Sequence, residues 1–183
     1  MGAVVRALVY ATAFIGIILV FLPARVLEWS GATRPPSPGL TQGAGAVVTA
    51  AGAFLALWCV LTFALVGRGT PAPFDPPRRL VVAGPYRFVR NPMYLGAALA
   101  LAGAALFYES LALLGFVVLF LLVTHLFVVL YEERTLRRMF GAEYLEYSRD
   151  VRRWIPRKPT DETEPDGSRS GRPERRTQAR SRE

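Results

Sequence analysis

The 183-residue chain has one cysteine and one histidine. A lone Cys59, set inside an apolar block, rules out an intramolecular disulfide and any cysteine-based metal centre. A lone His125 rules out a multi-histidine zinc site. No Walker loop and no GxGxxG stretch after a strand is present, so the soluble nucleotide-binding signatures are missing too. No metal is expected. What remains is apolar and basic: 52% of residues are hydrophobic, beside a formal net charge of +8. The two features occupy different places. Apolar residues form long blocks, with the arginines between and after them, which is the pattern of a membrane protein and not of a nucleic-acid binder.

Four apolar blocks are evident. They run from about Val4 to Leu22, from about Ala44 to Val66, from Pro92 to about Phe107, and from Leu111 to about Tyr131. A bilayer crossing takes about 20 residues at 1.5 Å rise, so the second and fourth are comfortable and the third is short. The first is read as a retained helix, because Pro23-Ala24-Arg25 makes a poor signal-peptide cleavage site. Arg68, Arg78, Arg79, Arg87 and Arg90 lie between blocks two and three, and most of the remaining basic residues follow block four. Both termini and the 67–92 loop are therefore expected on the cytoplasmic side of the inner, or plasma, membrane. Small residues recur every fourth position, as Ala44, Val48 and Gly52 and as Gly96, Ala100 and Ala104, a spacing that lets helix backbones approach closely.

The expected fold is all-α: about four transmembrane helices, a C-terminal interfacial amphipathic helix and a disordered tail. Phe140, Tyr144, Tyr147, Val151 and Trp154 recur at helical spacing and supply the amphipathic face. One membrane domain covers residues 1–159. Residues 160–183, rich in Arg, Ser, Pro and Glu, form the basic tail, which cannot bury enough surface to offset ordering entropy.

Two polar stretches attached to these helices could carry chemistry, one from Arg78 to Tyr94 and one from Tyr131 through Tyr147 to Pro156. Asn91 and Pro92 read as a helix N-cap and first turn, presenting free N–H groups and a positive dipole end, with Arg87 and Arg90 nearby. Glu132 and Glu133 close the fourth block, at what reads as a helix C-terminus, where acidic side chains are disfavoured. That placement suits carboxylates that face water or bind a cation, an amine or ribose hydroxyls. His125 lies seven residues before Glu132, on one helical stripe. An ionisable residue in a span is a functional candidate, the alternative being a histidine bonded to a neighbouring helix.

The residues from Gly84 to Gly96 (GPYRFVRNPMYLG), the Glu132-Glu133 pair and residues 140–147 (FGAEYLEY) together resemble the isoprenylcysteine carboxyl methyltransferase family and its phospholipid methyltransferase relatives. The likeness covers about residues 78–156. It implies a membrane enzyme that uses S-adenosyl-L-methionine to methylate a lipophilic acceptor, a lipid or lipid-like molecule bearing a carboxylate, amine or hydroxyl. It places Arg78, Arg79, Leu80, Val81, Tyr86, Asn91, Pro92, Met93, Tyr94 and Glu132 at the cofactor. Arg90, His125 and Glu133 are candidates for the acceptor side, and no catalytic base is assigned. Two positions depart from the family pattern. Asn91 replaces a histidine, which removes a proton-transfer group. Val128 replaces the arginine of the isoprenylcysteine enzymes, which favours an acceptor other than a prenylcysteine carboxylate. An NADPH-dependent membrane reductase of related helical fold, and a non-enzymatic four-span membrane protein, are the alternatives.

Overall fold

The computed structural model describes residue 13 and residues 15–33, 39–67 and 79–156. Most of the first apolar block, Arg78 and the tail expected to be disordered lie outside the described residues. A π-helical run, Ile15–Phe21, leads into helix α1, Leu22–Ser30, which ends at a left-handed Gly31. Helix α2, Leu40–Thr62, continues as a π-helical turn over Phe63–Gly67. A 3₁₀ turn, Gly84–Arg87, precedes α3, Pro92–Phe107. Helix α4, Leu111–Phe127, passes through a second π turn, Val128–Glu132, into α5, Glu133–Asp150. No strand occurs among the described residues.

Helices α2 and α3 pack antiparallel along a glycine seam. A Cβ on Gly45 would fall 2.6 Å from the Phe107 nitrogen, and one on Gly52 would fall 2.6 Å from the Gly96 carbonyl oxygen. In return, a Cβ on Gly96 would lie 2.7 Å from the Ala56 nitrogen, and one on Gly103 would lie 2.7 Å from the Gly45 oxygen. No side chain fits at any of the four. The seam therefore steps by seven residues, from Gly45 to Gly52 and from Gly96 to Gly103. Of the four-residue step expected from the sequence, Gly52, Gly96 and Ala100 lie in the seam, with the Ala100 backbone against Gly52, whereas Ala44 is exposed and Val48 and Ala104 are half-buried. At the far end of the pair, buried Gln42 donates to Glu109 Oε1 at 2.9 Å and ties α2 to the α3–α4 turn. Ser110 caps α4 by accepting from the Leu113 N–H at 3.2 Å.

Two helices among the described residues are long and apolar enough to cross a membrane: Leu40–Gly67, and the one that begins at Leu111. Only 28% of each apolar stretch is buried. Phe54, Leu57 and Leu61 of α2, Leu65 of the π turn after it, and Leu114, Val118 and Leu122 of α4 point outward. A surface this apolar needs lipid rather than water around it. The apolar run from Leu111 gives way to charge after Tyr131. Helix α3 is apolar but has 16 residues, about 24 Å of rise.

Helix α5 is not the straight amphipathic rod the spacing suggests. Gly141 leaves the helical region at φ 50°, ψ −120°, and the chain doubles back there. A straight helix would carry residue 150 about 25 Å from residue 133. Instead, Tyr144, Tyr147 and Val151 bury against Leu80, Leu136 and Phe140.

Candidate functional site

The site assembles where the start of α3, the end of α4, the 3₁₀ turn and the returning chain meet. Gly84, at φ +56°, lays the turn against the end of α2, where a Cβ would meet Thr62 Oγ1 at 3.2 Å. The turn points Tyr86 inward. Its ring meets Phe63 edge-on at 5.1 Å and forms a buried cluster with Cys59 and Val81, against which Leu55 and Met93 pack. Burial holds the Tyr86 hydroxyl well above its ordinary pKa, and the nearby Cys59 and Glu132 push it the same way.

Asn91 does not cap α3. Its side chain donates to the Arg153 carbonyl oxygen at 3.1 Å, and its backbone sits at φ −122°, ψ 52°. Capping is lost because the buried amide is recruited by the returning chain. The adjacent Arg90 N–H donates to the Arg152 carbonyl at 2.9 Å, so two successive residues of one segment hold two of the other. Pro92 is fully buried at the first helical position.

Glu133 gathers the arginines. Arg153 donates to both of its carboxylate oxygens, at 2.6 Å and 3.0 Å. Arg90 Nη1 lies 3.3 Å from Oε1, and Arg137 Nη2 lies 3.8 Å from Oε2. Burial alone would raise the Glu133 pKa. The Arg153 hydrogen bonds and the charges of Arg90, Arg153 and Arg137 outweigh it and hold the carboxyl below the ordinary range. Arg90 Nη1 also donates to the Tyr144 hydroxyl at 3.2 Å, while its buried Nε has no partner among the described residues. Tyr147 donates its hydroxyl hydrogen to the Tyr86 carbonyl at 2.7 Å.

Glu132, one residue past the apolar run, has a different neighbourhood. Its Oε2 accepts from the Tyr94 hydroxyl at 3.1 Å. Among the described residues no arginine or lysine pairs with it. Burial raises its pKa to about 7, with the Glu133 charge adding to the rise and the Tyr94 bond opposing it. Two successive glutamates thus have opposite fates, one paired several times over and the other desolvated beside a phenol.

The glutamates are not at a helix end. The chain stays helical from Leu111 past both glutamates to Phe140, so the disfavoured placement inferred from sequence does not arise. The π turn over Val128–Glu132 also breaks the register that joined His125 to Glu132. His125 is exposed, and its Nδ1 accepts from Trp154 Nε1 at 3.0 Å. Of the cofactor candidates, Val81, Tyr86, Met93, Tyr94 and Glu132 converge, with Asn91 and Pro92 buried beside them. Leu80 packs one layer away, against the cluster of Tyr144, Tyr147 and Val151. Arg79 is exposed. Arg153, Tyr144, Tyr147 and Cys59 also belong to the assembly but were not singled out as site residues. Arg153 arrives only through the reversal at Gly141, and a glycine inside a helical pattern was the one available signal.

The fold and this junction define a helical membrane protein with a polar, aromatic-lined cluster at one end of its apolar helices. The family model described as phospholipid methyltransferase matches residues 40–143, more than half of the chain. The chain belongs to the phospholipid methyltransferase family, and it is a membrane methyltransferase. An uncharacterized protein of Haemophilus influenzae is 44% identical over 64 residues, which is 34% of this chain and the whole of that relative. No solved structure matches the chain.

Proposed function

We propose that the protein transfers a methyl group from S-adenosylmethionine to a lipid-soluble acceptor at the inner face of the membrane in which it is embedded. The observation that carries the reading is the convergence of Tyr86, Met93 and Tyr94 on a half-buried carboxylate, Glu132, that has no cationic partner among the described residues. These residues fit the cofactor. Val81, Tyr86, Met93 and Tyr94 offer apolar and aromatic contact for adenine, and Glu132 offers a carboxylate for an amine or for ribose hydroxyls. Arg78, Arg79 and Leu80 stand upstream of them in the chain, the arginines suited to the methionine carboxylate. When bound, S-adenosylmethionine supplies a methyl group already activated on a sulfonium.

The protein's own task is then alignment and exclusion of water. Asn91 and Pro92 fix the first turn of α3 and so the position of Tyr94. Arg90 and Glu133 neutralise one another within the cluster and hold that turn against the returning chain. The acceptor reaches the site laterally, between helices, from the bilayer. An amine or hydroxyl acceptor must lose a proton and a carboxylate need not. Val128 is buried and carries no charge, which favours an acceptor without a prenylcysteine carboxylate.

Isothermal titration of the detergent-purified protein tests this reading. S-adenosylmethionine binds, NADPH does not, and Y86A and E132A each weaken binding about tenfold or more, equivalent to about 1.4 kcal/mol. Absence of S-adenosylmethionine binding to the wild type refutes the reading, and NADPH binding in its place would establish the reductase.

A further inference from the structure

We infer that residues 152–155 form a strap across the aqueous mouth of the site, latched by the bond from Trp154 to His125. The inference rests on the methyltransferase reading, since it concerns how the cofactor enters and leaves. The returning chain has two parts of different character. Up to Val151 it is anchored by burial, with Tyr144, Tyr147 and Val151 packed on Leu80, Leu136 and Phe140. At Val151 the helix stops and the backbone becomes extended, at φ −108°, ψ 124°. Beyond it little apolar surface is buried: Arg152 and Ile155 are exposed, and Trp154 is half-buried. Polar contacts hold this piece instead. The Arg152 carbonyl accepts from the Arg90 N–H at 2.9 Å, and the Arg153 carbonyl accepts from Asn91 at 3.1 Å. The Arg153 guanidinium lies on Glu133, and Trp154 Nε1 donates to His125 Nδ1 at 3.0 Å. Three consecutive residues thus reach the start of α3, the start of α5 and the last turns of α4. A segment with so few buried apolar contacts opens without unfolding the cluster behind it.

The other sides of the site are shut to a charged ligand. Helices α2 and α3 meet backbone to backbone at Gly52 and Gly96, and the contact of Tyr86 with Phe63 fills the α2 side. The outer surface of α4 is apolar and faces lipid. S-adenosylmethionine carries an ammonium, a sulfonium and a carboxylate, and hydrocarbon is a costly route for such groups. Its route is the aqueous end, where the strap bridges the two helices that carry Tyr94 and Glu132. The strap's contacts are unequal. Asn91 and Glu133 are buried partners, whereas the Trp154–His125 bond is exposed, its rings 6.0 Å apart and tilted by 37°. Release begins at that exposed bond. His125 therefore serves the strap and not the acceptor, and it and Trp154 are positioning residues. A latch that touches no ligand sets a barrier and leaves the end states alone. Its loss speeds entry and exit by the same factor, about two- to tenfold for one hydrogen bond, with affinity unchanged.

The experiment measures both rates on the full-length protein in nanodiscs. Tritiated S-adenosylmethionine is followed by rapid filtration, first as it associates and then as it is chased by S-adenosylhomocysteine. His125→Leu removes the acceptor of the latch, and Trp154→Phe removes its donor while keeping a ring. Each should raise the association and dissociation rates together, by about two- to tenfold, at constant Kd. His125→Asn returns an acceptor to the Nδ1 position and should restore the slow exchange. Should His125→Leu fail to fold, Trp154→Phe carries the same test. Unchanged rates in Trp154→Phe overturn the inference and leave the methyltransferase reading standing. A faster dissociation with unchanged association, which raises Kd, also overturns it, because the bond then shapes the site and does not gate it. Failure of the wild type to bind S-adenosylmethionine removes both.

Discussion

Tyr94 on the first turn of α3 donates to Glu132 at the end of the second π turn, 3.1 Å away, so two helices are joined at a desolvated carboxylate. Because the folded protein binds the Glu132 proton more tightly than the unfolded chain does, it holds more protons between the ordinary value of 4.5 and about 7. Stability from this group is full below that interval and is lost as pH rises through it. The loss is at most about 3.5 kcal/mol, taking about 1.4 kcal/mol per pKa unit. E132Q removes the loss. Thermal unfolding in detergent from pH 5 to pH 8 should show the variant gaining on the wild type as pH rises, and a constant difference across the range would contradict the assignment.

Glu133→Gln has the opposite consequence. It strips the negative charge from a site where Arg90 is nearly buried and Arg153 is bound through both nitrogens. Leaving buried arginine charge uncompensated costs about 3–5 kcal/mol. The folded carboxyl of Glu133 lies below its ordinary range, so its contribution is present at neutral pH and lost on acidification. The variant's deficit should therefore be full at pH 7 and shrink at low pH. Chemical unfolding of E132Q and E133Q side by side at pH 7 checks the contrast, which fails if the two lose equally.

The glycine seam predicts a steep size dependence. At Gly52 any side chain collides with the facing backbone, and at Gly103 with the backbone of Thr49 and Gly45 as well as the Thr49 hydroxyl. Gly52→Val and Gly103→Val should each cost about 3 kcal/mol or more, the upper range for overpacking. Gly115, in α4, has nothing within 4 Å of the corresponding position. Gly115→Ala should cost nothing and gain up to about 1 kcal/mol of helix propensity. Melting temperatures of the three variants decide the point, and a tolerated Gly52→Val would contradict the close approach.

Legibility in the sequence followed length scale. Long apolar runs were visible because burial in lipid is a property of a whole segment, and α2, α3 and α4 begin and end near the expected places. The cluster of Tyr86, Met93, Tyr94 and Glu132 was legible because the first three are close in sequence and Glu132 closes the next apolar run. Three features were not. The π turn at Val128–Glu132 shifts the register without any residue that announces it. The seven-residue glycine step was hidden beneath a stronger four-residue alternation of alanines. The Asn91–Arg153 bond depends on a chain reversal, which no local periodicity records.

That reversal rests on Gly141. At φ 50°, ψ −120° the residue occupies backbone space that side-chain-bearing residues reach only with strain of about 1–3 kcal/mol. No neighbouring atom crowds the position, so the penalty for Gly141→Ala is conformational and not steric. The strained segment is relieved by straightening α5, which withdraws Arg153 from Glu133 and Arg152 from the Arg90 N–H. A cost of that size raises the released population by about fivefold or more. Trypsin cleavage after Arg152 and Arg153 should accelerate accordingly in Gly141→Ala, measured by intact mass against time. Cleavage at the wild-type rate, with unchanged melting temperature, would show that the return of the chain does not depend on this glycine.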